Sequence, residues 1–126
     1  MITRGTTPYH SFVLPLTTAD INQVYITYLQ NGEIILDKTT EDITIADIND
    51  ELDNATMNEE TGEVIPSSEI TLHLTQEDTL KFHFYPAAER NIAVIQLRVL
   101  TNDGEAYASE PIHERIFGVL KEGVIG

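Results

Sequence analysis

A chain of 126 residues with 21 Asp and Glu against seven Lys and Arg carries a formal net charge of -14. That charge opposes binding to nucleic acids and anionic membranes, because both are held through clustered cations. Apolar residues make up 41% of the chain, enough for one hydrophobic core and a single domain over residues 1–126, and the absence of cysteine excludes disulfides, thiolate metal sites and a cysteine nucleophile together.

The stretch from Met1 to Pro8 has one basic residue, Arg4, and no apolar run behind it, so it lacks the pattern of a signal peptide. No segment approaches the roughly 20 apolar residues of a membrane span. Synthesis and folding in the cytoplasm are expected.

Along the chain the dominant period is two. In Tyr9 to Leu16, Phe12, Leu14 and Leu16 share a face, while Pro15 removes a ladder donor and marks an edge strand or a strand end. Asn22 to Leu29 is a strand with Val24, Ile26 and Tyr28 on one face. Asn31-Gly32 then supplies the two positive-φ positions of a type I′ turn, and Ile34 to Lys38 returns as the second arm of a hairpin. Asp42 to Ala46 reads as a short strand.

From Asp47 to Ser68 the alternation stops, and this acidic stretch reads as a loop or insertion. The charge is concentrated around it: twelve of the 21 acidic residues, and no Lys or Arg, lie between Lys38 and Lys81. Alternation resumes at Glu69 to Leu74, with Ile70, Leu72 and Leu74 inward. Thr75 and Asp78 then have the spacing of a capping box around one helical turn. Lys81 to Tyr85 alternates as a short strand, and Ile92 to Leu100 is a strand with Ile95, Leu97 and Val99 on one face. Thr101-Asn102-Asp103-Gly104 makes a hairpin turn into Glu105 to Ser109, and Pro111 to Ile116 closes the pattern. About seven or eight short strands without a long helix predict an all-β fold, an antiparallel two-sheet sandwich of immunoglobulin-like character but without that fold's disulfide and Trp.

The chemistry-bearing residues do not assemble into a motif. His10, His73, His83 and His113 fall on four different predicted strands, without the close spacing of a metal site. Ser11, Ser67, Ser68 and Ser109 have no activating neighbourhood, and no phosphate-binding or dinucleotide-binding loop occurs. Asp47, Asn49, Asp50, Glu51, Asp53, Asn54, Glu59 and Glu60 begin like a calcium loop. The pattern then fails, because Leu52 stands where the sharp turn needs glycine and Asn58 where the bidentate Glu belongs. No catalytic, cofactor-binding or metal role is therefore assigned to any residue. Tyr25 and Tyr107 are expected on outward faces, where aromatic rings serve protein or sugar binding.

Four segments taken together carry a resemblance: Ile2 to Pro8, Val24 to Gly32, Leu74 to Phe82 and Ile95 to Gly104. They are similar to a family of small proteins of no established activity encoded in prophages of Firmicutes, and the similarity spans nearly the whole chain. The Arg4-Gly5-Thr6 opening also resembles the start of the N-terminal domain of phage baseplate upper proteins. What the resemblance implies is a non-enzymatic structural or accessory protein of a phage particle, associated with the tail or baseplate. It would act through contacts with tail or baseplate proteins or with copies of itself, without a cofactor. The acidic stretch at 47–68 departs from the family pattern by its length. Two alternatives stay open: a carbohydrate- or calcium-binding adhesion-type module that uses this loop and, from charge alone, a small intracellular phage factor that mimics acidic ligands to block a host protein.

Overall fold

The computed structural model describes residues 1–48, 67–88, 91–119 and 123–125. In chain order these form β1 (Ile2–Thr3), β2 (Tyr9–Leu14), β3 (Ile21–Gln30), β4 (Glu33–Lys38), β5 (Ile43–Ile48), β6 (Ser67–His73), the single-turn helix α1 (Gln76–Leu80), β7 (Ile92–Thr101), β8 (Ala106–Ala108) and β9 (Ile112–Phe117). One sheet has the order β1-β9-β7-β3-β4, with β8 also on β7; the other is β2-β6-β5. The fold is therefore all-β with two sheets.

Each sheet turns its apolar face inward, as the period of two requires. Val24, Ile26 and Tyr28 of β3 and Ile95, Leu97 and Val99 of β7 meet Ile70 and Leu72 of β6 and the adjoining Leu74 in one core. Between β3 and β4 both turn residues have positive φ, 54° at Asn31 and 79° at Gly32, and Gln30 pairs with Glu33 across the turn. This is the two-residue hairpin that the Asn-Gly pair predicts.

The capping box also forms. Thr75 Oγ accepts the Asp78 N–H at 3.1 Å, and Asp78 Oδ2 accepts the Thr75 N–H at 3.0 Å. The other carboxylate oxygen takes the Lys38 ammonium at 3.0 Å, tying α1 to β4. Burial pushes the Asp78 carboxyl up, but these donors outweigh it and hold the group below its usual range.

Three features differ from the sequence reading. The first is β1, which pairs parallel to β9 through Ile2↔Ile116, so the described residues carry nine strands. Ile2 is fully buried, yet two residues are too few to show a period.

The second concerns the acidic stretch at 47–68, whose ends are strand. Asp47 pairs with Ser68 and Ile48 with Ser67, so β5 and β6 extend into it from both sides. Buried Ser67 and Ser68 continue the ladder with small polar side chains that break the apolar alternation. Residues 49–66 lie outside the described residues.

The third is Lys81 to Tyr85, which alternates like a strand but is not one. Lys81 N–H bonds to Asp78 O, so the chain leaves α1 by continuing the helical turn, and Phe82 is drawn wholly into the core. The side chain of Gln30 then takes the place of a neighbouring strand. Its amide donates to His83 O at 2.6 Å, and its carbonyl accepts the His83 N–H at 2.7 Å.

Beyond β9, Gly118 lies against the ring of Phe84. A Cβ at this position would stand 2.6 Å from Phe84 Cδ1. Phe84 is partly buried against the core, so displacing its ring has a cost and Gly118→Ala is expected to destabilise the fold by about 1–3 kcal/mol. A urea titration checks this, and an unchanged midpoint would show that the ring yields.

Candidate functional site

The two sheets do not close along one flank. Among the described residues β2 ends the smaller sheet, bonded only to β6, and β8 pairs with β7 alone. β9 and β8 share one side of β7, taking Ile92 to Ile95 and Arg98 to Leu100 respectively. Ser109 bridges them: its N–H donates to Leu97 O at 2.8 Å, and its Oγ accepts the Leu97 N–H at 3.0 Å. Between these strands and β2 runs a seam.

Three hollows follow the seam. At the Tyr9 end a hollow of about 250 Å³ is lined by His10 and Phe12 on one side and by Ile95, Ile112 and Glu114 on the other. Past the end of β2, Leu14, Pro15 and Leu16 face Val99 and Tyr107 across an apolar hollow of about 320 Å³. The third, also about 320 Å³, shares Leu16 and Tyr107 with the second and adds Asp20, Asp103 and Glu105. Among the described residues no Lys or Arg lines any of the three.

The backbone of β2 is available along the seam. Leu74 N–H donates to Pro8 O at 3.0 Å. The antiparallel register from Tyr9↔His73 to Leu14↔Ser68 then turns the polar groups of residues 8, 10, 12 and 14 toward β6. Those of Tyr9, Ser11 and Val13 point to the free edge, and all three side chains are exposed. Pro15 continues the outward set without an N–H and so limits how far the edge can extend, the role its position in the sequence suggests.

His10 is the one polar side chain of the seam with an unmet requirement. Its Nδ1 is hydrogen-bonded to the hydroxyl of fully buried Tyr28 at 2.5 Å. Nε2 is buried and has no hydrogen-bond partner among the described residues. Burial pushes the imidazole below the ordinary value of 6.5; Glu114 pulls it part of the way back, and the terminal amino group, which itself pairs with Glu114, lowers it further. Burial likewise pushes the Tyr28 hydroxyl well up, with Asp78 and Glu114 adding to the effect. The pair is thus neutral at neutral pH.

Stability follows from this with a definite sign. Between 6.5 and the lower value in the fold, the unfolded chain binds a proton at His10 that the native state refuses, so stability falls as pH drops below 6.5. Asp78 contributes its own loss only below its ordinary 3.8. His10→Gln is expected to flatten the first limb and leave the second, as read from melting temperatures across that range.

The other candidate residues are dispersed. His73 stacks on Tyr9 with ring centroids 3.9 Å apart, and His83 stacks near Tyr85 at 6.0 Å. His113 is exposed on β9, opposite Val94. Among the described residues no three His, Asp or Glu come together as a metal set. Asp47 accepts the Thr18 N–H at 2.7 Å and the Thr18 hydroxyl at 3.0 Å, so its carboxylate is engaged in holding the 3-10 turn Thr18–Asp20. The remaining residues of the calcium-like run, from Asn49 to Glu60, lie outside the described residues. Of the serines, Ser11 reaches Thr71 at 3.4 Å, and Ser68 Oγ is buried without a hydrogen-bond partner among the described residues.

Both tyrosines expected on outward faces are exposed, but only Tyr107 joins the seam. Its hydroxyl donates to Glu105 at 2.5 Å, and that carboxylate holds the tyrosine pKa up. Asp103 and Glu105, which the sequence presents as a turn and its exit, also form a wall of the third hollow. Asp20 and Leu16 join them only through the tertiary fold.

No helix among the described residues is long and apolar enough to cross a membrane. No protein-family model matches the chain, and no curated protein matches it in sequence.

Proposed function

We propose that the chain is a non-enzymatic structural or accessory protein of a phage particle, associated with the tail or baseplate, that works through protein–protein contact along this seam. The observation that carries the reading is the seam itself: two unsealed sheet edges with Leu14, Leu16 and Tyr107 left partly or largely exposed between them. Apolar surface and an unpaired strand edge in one place are what a protein partner covers. The phage setting rests on the resemblance carried by the segments Val24 to Gly32 and Ile95 to Gly104.

Mass spectrometry of particles purified from an induced lysogen that carries the gene tests this. The chain is expected among the tail components, and particles free of it would sink the reading.

A further inference from the structure

The geometry points to a specific kind of occupant for the seam: an extended segment of a partner protein, added as a strand to the free edge of β2, with an apolar side chain followed by Lys or Arg. This rests on the seam being a contact surface and adds what it recognises. Strand addition follows from the outward backbone groups of Tyr9, Ser11 and Val13, which repeat at the two-residue spacing a new strand would meet. The apolar side chain follows from the hollow between Leu14, Leu16, Val99 and Tyr107.

The cation follows from charge. Asp20, Asp103 and Glu105 adjoin that hollow, and among the described residues their carboxylates accept hydrogen bonds from hydroxyls only: Thr17 on Asp20, Thr101 on Asp103 and Tyr107 on Glu105. Hydroxyl donors leave each carboxylate its full charge. Among the described residues none of the three has a salt bridge. A second copy of this chain is the wrong occupant on the same ground, since it would bring a net charge of -14 to an acidic wall.

The test uses a displayed library of random peptides selected against the full chain. Expected is an enriched pattern of an apolar residue with Lys or Arg within the next few positions. The affinity of the selected peptide, as a synthetic free peptide, should fall roughly three- to tenfold in Asp20→Asn/Glu105→Gln and drop with added salt. Methylating the amide nitrogens of that peptide at odd or at even positions should abolish binding for one set and spare it for the other. Selection of no peptide, of peptides without cations, or of binders indifferent to both methylation sets would overturn the inference. Circular dichroism of the double variant confirms that it is folded. The two readings fail separately: a chain missing from particles can still select basic strands, and a particle protein that selects none retains its place in the particle while losing this recognition.

Discussion

Truncating Phe82 to alanine is expected to lower the unfolding free energy by about 3–5 kcal/mol. The side chain is fully buried, although it sits on irregular backbone between α1 and β7. Its ring meets Tyr28 edge-on, with centroids 5.8 Å apart and the planes at 70°, the arrangement aromatic pairs favour. Both chain neighbours, Lys81 and His83, are exposed, so neither supplies an apolar side chain to fill the cavity. Phe82→Leu should cost distinctly less, because it keeps most of the volume. Chemical denaturation of the two variants separates them; equal losses would mean that the site collapses around the smaller residue.

Replacing Gln30 by leucine is expected to cost roughly 2–4 kcal/mol, although it exchanges a polar residue for an apolar one in a core position. Gln30 is only 3% exposed, and its amide serves both backbone groups of His83. Leucine leaves that N–H and C=O without their partner while they remain part-buried. Gln30→Glu discriminates further, since a carboxylate still accepts the His83 N–H but faces the His83 carbonyl with no donor. The expected order of stability is Gln30, then Glu, then Leu at neutral pH, measured by thermal melts. A leucine variant as stable as the parent would show that water replaces both bonds. Amide exchange at His83 should quicken in either variant.

The two effects explain why Lys81 to Tyr85 misleads when it is read as sequence. Phe82 and Phe84 alternate with Lys81 and His83, which is the pattern of a half-buried strand. Their burial is real, but the ladder is supplied by a glutamine side chain from β3, and glutamine carries no signal of that use. The seam was legible to a similar degree. Pro15 announces an edge, and Tyr107 an exposed ring, both from local chemistry. That Leu16, Asp20 and Glu105 stand around the same hollow depends on how β2 and β8 approach across the flank. His10 gives no local sign that it reaches Tyr28.

What the sequence by itself determined was the set of elements whose cause lies within a few residues. These are the alternation of β3 and β7, the positive-φ Asn31-Gly32 turn, the Thr75–Asp78 cap, and the abundance of acid without cysteine. Steric limits on φ and ψ, short-range hydrogen bonds and the two-residue repeat act over that distance and leave their mark in residue order. The tertiary structure alone decided the pairing of Ile2 with Ile116, the service of His83 by Gln30, the extension of β5 and β6 into the acidic stretch, and the open seam. Each depends on segments far apart in the chain, selected by which surfaces can be buried together and which polar groups can then be satisfied.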